Sequence, residues 1–267
     1  MTSASVERES NPRATTATTL EHDVPLPRLA VLIAETREDV RAAQRLRHQV
    51  FIEELGARIG ARRSDLERDR YDPFCEHLIV RDRQTSQVVG TYRLLTPERA
   101  KRLGTFISGE EFDLRALDAL RGSLAEVGRA CIHPAYRSGA AIMMLWTGIA
   151  RYVMAQGIRH LFGCASIGLE DGGANAHGVY DEIAARHLAP EAYRVTPRRS
   201  LAPPTAPGDE RPRIPPLLKG YLRLGAWICG EPAWDPDFNT ADLLVLLPLE
   251  HVEARYARHF LRGPIED

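Results

Sequence analysis

Residues 126–142 constrain the fold more than any other part of the chain, because they read as a strand, a turn and a helix start in direct succession. Pro134 marks the turn, and Gly139 lies in the short loop before the helix. A glycine-containing loop that leads into a helix N-terminus directs free backbone N–H groups and the positive end of the helix dipole at one point. The segment therefore predicts an anion-binding site, suited to a phosphate, beside the strand that carries Glu126 and Arg129.

Hydrophobic periodicity predicts a mixed α/β sheet flanked by helices, with antiparallel hairpins in the first half. The predicted strands cover residues 29–34, 77–81, 88–95, 124–132, 161–167 and 243–247. The predicted helices cover residues 38–55, 97–103, 140–156, 175–187, 217–224 and 250–261, with a further helix near 114–120. The sequence contains no internal repeat, which favours one domain over residues 28–267.

The remaining segments are predicted from their composition. Residues 1–27 are rich in Thr, Ser and Ala without an apolar stretch, which indicates a disordered tail and not a secretory signal. Residues 194–216 are rich in Pro and Arg and are predicted to form a loop. No run of about 18 apolar residues predicts a membrane-spanning helix. The formal net charge of −1 gives no general attraction for nucleic acid.

The four cysteines are widely spaced, and none has a histidine at a zinc-ligand interval. We therefore expect buried free thiols, a cytoplasmic protein and no metal site.

Glu126 and Arg129 are the strongest candidates for chemistry. Positions three apart in a regular strand face opposite sides, but a bulge at Gly128 would turn both side chains toward one cleft. Such a bulge would also free backbone N–H groups to bind a tetrahedral oxyanion, with Glu126 as general base for an attacking amine. The alternative is an exposed ion pair that contributes under about 1 kcal/mol.

The order of elements, with an arginine-opened loop after the fourth strand, resembles the GNAT N-acyltransferase superfamily. The first half is similar to the acyl-homoserine-lactone synthases, and the second half resembles the ornithine N-acyltransferases of ornithine-lipid synthesis. The matching segments of the first half are residues 47–56, 69–72, 77–82, 89–95 and 126–129. Those of the second half are residues 145–146, 161–166, 216–225 and 237–242.

The resemblance implies transfer of a 3-hydroxy fatty acyl group from acyl carrier protein (ACP) to the α-amine of ornithine, giving lyso-ornithine lipid. The donor would be the phosphopantetheine thioester of ACP, with no permanently bound cofactor. The alternatives are another amino acid acceptor (glutamine, lysine or glycine), acyl-homoserine-lactone synthesis, or a non-catalytic module that binds the carrier or a membrane. A carboxylate in the cleft argues against the non-catalytic module.

The resemblance also implies roles for individual residues. The implied catalytic residues are Glu126, Arg129 and Tyr180, the last protonating the leaving thiolate. The implied substrate-binding residues are Arg47, Phe51, Asp69, Asp72 and Arg93, although buried structural ion pairs are the alternative for the charged members. The implied phosphopantetheine-binding residues are Arg137, Ser138, Gly139 and Ala140. This loop is shorter than the usual GNAT phosphate loop and has one glycine, which favours the single phosphodiester of ACP over coenzyme A.

Residues 194–223 hold seven basic residues against two acidic ones. This excess of positive charge would attract acidic ACP or anionic lipid headgroups, and a solvated face is the alternative. We therefore expect a cytoplasmic enzyme that contacts ACP, with peripheral binding to the inner face of the membrane as a further possibility.

Overall fold

A computed structural model describes residues 27–59, 64–204 and 211–252. The strands are β1 (Leu29–Ile33), β2 (Glu76–Asp82), β3 (Val88–Leu95), β4 (Phe112–Asp113), β5 (Leu124–Ile132), β6 (His160–Gly168), β7 (Thr196–Pro197), β8 (Trp227–Ile228), β9 (Ala233–Asp235) and β10 (Thr240–Pro248). The α-helices are α1 (Arg37–Arg47), α2 (Pro97–Leu103), α3 (Ala140–Ala155), α4 (Ala174–His187) and α5 (Pro216–Arg223). The predicted tail before Pro27 and most of the predicted helix over 250–261 lie outside the described residues.

The main sheet runs in the order β1-β2-β3-β5-β6-β10-β8, and β9 also pairs with β10. Neighbouring strands are antiparallel except β5 and β6, which are parallel. The predicted mixed sheet with flanking helices is therefore confirmed, and its single parallel pair lies at the centre.

Side chains that alternate along β2 show which helices cover each face of the sheet. Ile79 packs in a cluster with Ala43 and Leu46 of α1 and with Val50, which follows that helix. Its neighbours Leu78 and Val80 pack instead with α3. Helices α4 and α5 contribute to a cluster that includes every second residue of β10, starting at Ala241. We refer to the two sides below as the α1 face and the α3 face.

The predicted helix over 38–55 is two helices. A capping box between Thr36 and Asp39 starts α1, which ends at Arg47. A π-helix follows over His48–Glu54, and the Leu55 N–H donates to the Val50 carbonyl at 3.1 Å. Periodicity alone does not separate an α-helix from a π-helix, and short π segments are frequent at functional sites.

Two other segments also differ from expectation. The helix predicted near 114–120 is a 3₁₀-helix over Leu114–Ser123. The predicted loop at 194–216 contains β7, which pairs with β4. Residues 205–210 of that loop lie outside the described residues.

A gap opens between the two central strands. Strands β5 and β6 pair over three residue pairs, the last of which is Glu126 with Phe162. Beyond this point, Val127–Ala130 are only half-buried, although they lie in the middle of the sheet. At the apex of the gap, a Cβ added to Gly163 would lie 2.1 Å from the Val127 carbonyl oxygen. Glycine at 163 therefore allows the backbones of β5 and β6 to meet before they separate.

Candidate active site

A β-bulge in β5 forms the edge of the gap. Thr91 of β3 lies opposite Cys131, whereas Arg93 lies opposite Gly128, so β5 has one residue more than β3 in this interval. The extra residue is accommodated at Arg129, which has the left-handed φ of +53°. The sequence placed the bulge one residue earlier, at Gly128. A non-glycine residue with positive φ is uncommon and is often found at functional sites.

A network of charged side chains lies on the α1 face beside this bulge. Arg47 is fully buried and contacts two carboxylates, those of Glu67 and Asp72. It donates to both oxygens of Asp72 at 2.9 Å and to the Glu67 carbonyl at 2.8 Å. Burial alone would raise the pKa of Asp72, but the hydrogen bonds and charges of Arg47 and Arg93 outweigh it and hold this pKa well below the usual range.

Arg93 and Arg129 complete the network. Arg93 donates to Asp69 at 2.7 Å and to Asp72 at 2.9 Å. Arg129 donates to Glu67 at 3.2 Å and lies 3.5 Å from Asp69. Three arginines therefore face three carboxylates, and their formal charges cancel.

One end of this network is open to solvent. The side chains of Arg129 and Asp69 are 24% and 23% exposed, whereas the other charged members are almost completely buried. The Arg129 guanidinium lies 4.8 Å from the ring centroid of Phe238, which packs edge-on against Phe51. The structure thus brings together the predicted residues of this face: Arg47, Phe51, Asp69, Asp72, Arg93 and Arg129.

Glu126 occupies a separate position on the same face. Its carboxylate accepts hydrogen bonds from the Ile107 N–H at 2.6 Å, the Ser108 N–H at 2.7 Å and the Ser108 hydroxyl at 2.5 Å. Burial raises the pKa of Glu126, although these hydrogen bonds and the charge of Arg93 oppose the shift. Glu126 and Arg129 therefore lie on one face of the sheet, but among the described residues no hydrogen bond or ion pair joins them.

Several charged groups were missed by the sequence analysis. Glu67 lies in the polar stretch before Asp69, and the only sequence pattern that pointed to it was its closeness to the acidic residues Asp69 and Asp72.

A second group is formed by Glu111 and Asp242, which interact next to Cys164; the side-chain oxygen and sulfur atoms of the three residues lie within 4.8 Å of one another. Burial raises the pKa of Cys164 well above its usual value, and burial together with Asp242 raises that of Glu111 to about 9.

A cavity of about 590 Å³ lies mainly on the α3 face, between the sheet and helices α3 and α5, and also reaches the 3₁₀-helix Leu114–Ser123. Its lining is mostly apolar and includes Val127, Ile149, Val153, Leu161, Val245 and Leu247. Cys164 also lines the cavity, and its thiol lies 3.4 Å from the Ser108 hydroxyl that bonds Glu126. The cavity therefore reaches the gap and the neighbourhood of Glu126, and its volume is typical of small-molecule sites.

The predicted phosphate loop leads into α3. Gly139 has the left-handed φ of +101°, and Ala140 is the first residue of the helix, which has no side-chain N-cap among the described residues. Arg137 donates to the two carboxylate oxygens of Glu54 at 2.6 and 2.7 Å. The loop thus presents backbone N–H groups, while its arginine is paired with a carboxylate of the π-helix.

Tyr180 lies apart from these groups. It is half-buried in α4 and packs with the apolar cluster formed by α4, α5, β6 and β10. Burial raises its pKa, with further effects from Glu231, Asp181 and Arg194. The structure supplies no contact between Tyr180 and the gap, and its catalytic role stays a prediction.

Comparisons with known proteins agree with this architecture. Residues 46–147 match the acetyltransferase (GNAT) domain family. The chain is 35% identical to an L-ornithine N(alpha)-acyltransferase of Rhodobacter capsulatus, over 87% of this chain and 94% of the relative. It is 36% identical to the Brucella abortus protein of the same name, over 87% of this chain and 88% of the relative.

The structure also resembles that of BjaI, a CoA-dependent acyl-homoserine lactone synthase. The TM-score is 0.53 at 18% identity, covering 87% of this chain and 86% of BjaI, which shows a shared fold. Among the described helices, none is both long and apolar enough to cross a bilayer.

Proposed function

The chain belongs to the L-ornithine N(alpha)-acyltransferase family within the GNAT fold, and from this premise we propose that it transfers a 3-hydroxy fatty acyl group from ACP to the α-amine of ornithine. The product would be lyso-ornithine lipid. The observation that carries the proposal is the gap between β5 and β6, which joins an apolar cavity on the α3 face to a charge-balanced network on the α1 face.

The cavity suits the donor. Its apolar lining fits a fatty acyl chain, and a chain bound there would have its thioester carbonyl in the gap, beside Val127 and Gly163. The phosphate of phosphopantetheine would bind the N–H groups of Ser138, Gly139 and Ala140 at the start of α3. Arg137 would exchange Glu54 for that phosphate, because a guanidinium forms equally good paired hydrogen bonds with either group.

The open end of the network suits the acceptor. Ornithine carries one carboxylate and two ammonium groups, and the Arg129–Asp69 pair offers one group of each charge. We assign the substrate carboxylate to Arg129 and the side-chain ammonium to Asp69. Arg93 bonds Asp69 and Glu67 bonds Arg129. Arg47 in turn bonds Glu67 and Asp72. Phe51 packs edge-on against Phe238, whose ring lies beside the Arg129 guanidinium.

The chemistry needs one base and one oxyanion site. Glu126 would accept the proton of the ammonium, directly or through water, because burial gives it a raised pKa and thus greater basicity. The free amine attacks the thioester carbon, and N–H groups near Gly128–Ala130 would bind the oxyanion at the bulge. Collapse of the tetrahedral intermediate breaks the C–S bond, and the leaving thiolate takes up the second proton that the attacking nitrogen loses, so that the amide and the carrier thiol are released.

Expression of the chain in a host that lacks ornithine lipids is expected to yield lyso-ornithine lipid, detected by mass spectrometry. Purified protein should acylate ornithine faster than glutamine, lysine or glycine.

The Glu126→Gln variant is expected to lower turnover at least about tenfold, with unchanged circular dichroism as the control for folding. If only another amino acid is acylated, ornithine is not the acceptor. Normal turnover of the Glu126→Gln variant would exclude Glu126 as the base.

The basic surface of residues 194–223 is proposed to dock ACP. Its seven arginine and lysine side chains are exposed. Replacing Arg198, Arg199 and Arg211 by Ser should raise KM for acyl-ACP about tenfold at low salt and leave kcat unchanged, because exposed charges mainly affect encounter. The effect should fade above about 0.3 M salt, where screening is strong.

Matched controls separate this docking surface from other roles. The double variant Lys101→Ser/Arg102→Ser removes exposed cations from the end of α2 and should leave the KM for acyl-ACP unchanged. With an uncharged acyl-pantetheine donor, the triple variant should have the same KM as the wild-type protein. An unchanged KM for acyl-ACP with weaker binding to anionic vesicles would assign the surface to the membrane instead.

A further inference from the structure

Two tyrosines interrupt the apolar lining of the cavity. Tyr92 of β3 and Tyr221 of α5 both line it, and their hydroxyl groups form a hydrogen bond to each other. The Trp146 ring stacks on Tyr221 with 5.8 Å between centroids, which fixes the phenol from one side. Burial raises the pKa of Tyr92 to about 12, so both hydroxyls stay protonated at neutral pH.

This pair has unused hydrogen-bonding capacity. Two phenols contain two O–H hydrogens, and the hydrogen bond between them uses one. The second hydrogen and the remaining lone pairs lie in a cavity whose lining is mostly apolar. A buried O–H group without an acceptor is unfavourable, so a ligand that supplies a hydroxyl at this point would be favoured over one that does not.

The pair lies close to the reacting end of the cavity. Tyr92 lies between Thr91 and Arg93, opposite the bulge of β5 at which the oxyanion is proposed to form. Its side chain lies on the α3 face with Val127, which borders the gap. A hydroxyl that meets the tyrosines must therefore lie within a few carbon atoms of the thioester, and not at the far end of the chain.

We propose that the Tyr92–Tyr221 pair selects acyl donors that carry a hydroxyl on the carbon two bonds from the thioester carbonyl. This inference rests on the proposed function, because it assigns the cavity to the acyl chain. The expected selectivity is moderate. When the acyl chain lacks a hydroxyl, the two tyrosines retain the hydrogen bond between them. The free-energy cost is then smaller than that of two hydroxyl groups without any partner.

The test compares two donors of equal chain length, 3-hydroxyacyl-ACP and unsubstituted acyl-ACP, with saturating ornithine. The wild-type protein is expected to prefer the hydroxylated donor by about tenfold or more in kcat/KM. Tyr92→Phe and Tyr221→Phe should each reduce this ratio to near one, mainly by slowing the hydroxylated donor. The ratio within one variant does not depend on how much of that variant is folded.

Tyr193→Phe is the matched control, because Tyr193 lines the same cavity but stacks on Trp227. It should keep the wild-type ratio. A wild-type ratio near one, or an unchanged ratio in both Tyr92→Phe and Tyr221→Phe, would overturn the inference.

A binding measurement keeps this test separate from the proposed function. A 3-hydroxy fatty acid should bind wild-type protein more tightly than the unsubstituted acid of equal length by calorimetry, and both Phe variants should remove the difference. If ornithine is not acylated but this difference persists, the function proposal fails and the role of the tyrosine pair stands. If ornithine is acylated with equal use of both donors, the function proposal stands and the role of the tyrosine pair fails.

Discussion

Replacing Arg47 by Met is expected to destabilise the fold by about 3–5 kcal/mol, the cost of removing one partner from a buried ion pair. The substitution leaves Glu67 and Asp72 buried without the guanidinium that bonds both of them. Among the described residues, Arg93 donates to Asp69 and Asp72 and not to Glu67, so it does not replace the lost contacts. Urea unfolding followed by circular dichroism measures the change.

Arg45→Met is the matched control for this experiment. Arg45 lies in the same helix and pairs with Glu38, but its side chain is 45% exposed. Exposed pairs contribute about 0–1 kcal/mol, so this variant should unfold close to wild type. If Arg47→Met does not fold, Arg47→Lys keeps the charge, loses the paired geometry and should show an intermediate loss. Equal stability of the Arg45 and Arg47 variants would contradict a structural role for the network.

Gly163→Ala is expected to lower both activity and stability. Its Cβ would lie 2.1 Å from the Val127 carbonyl oxygen, and backbone atoms cannot rotate away as a side chain can. The strands must therefore move apart at the apex of the gap. Overpacking of this kind costs about 1–3 kcal/mol, and displacement of the reacting groups by about 1 Å can reduce turnover about 100-fold.

Gly128→Ala provides the comparison on the facing strand. A Cβ at position 128 would meet no atom within 4 Å, and Gly128 is not among the glycines with positive φ. This variant should keep wild-type stability, measured by thermal unfolding, together with most of its turnover. If Gly163→Ala behaves like Gly128→Ala, the apex of the gap tolerates separation and does not set the reaction geometry.

The sequence predicted the parts of this fold that depend on local pattern. The resemblance to known families identified Arg47, Asp69, Arg93 and Arg129, which the fold brings together. Strands β1, β2, β3, β5, β6 and β10 and helix α3 follow hydrophobic periodicity. These predictions succeed because apolar spacing determines which face of an element is buried.

The features that sequence analysis missed depend on contacts between distant segments. Glu67 is one of several charged residues in a polar stretch, and only its hydrogen bonds to Arg47 and Arg129 distinguish it. The π-helix after Arg47 changes the hydrogen-bond spacing without changing the apolar pattern. Glu126 forms its hydrogen bonds with a 3₁₀-helix that starts 19 positions earlier in the chain, so no local motif reveals where its carboxylate points.

The gap between β5 and β6 also has a consequence for the order of events in catalysis. The apolar cavity lies mainly on the α3 face and the charged network on the α1 face, so the two substrates would enter from opposite sides of the sheet. Burial holds the thiols of Cys75, Cys131 and Cys229 at a pKa of about 12, and that of Cys164 is also well above its usual value. These cysteines therefore offer no thiolate to carry the acyl group between half-reactions. Donor and acceptor would have to be present together, and neither need leave before the other arrives.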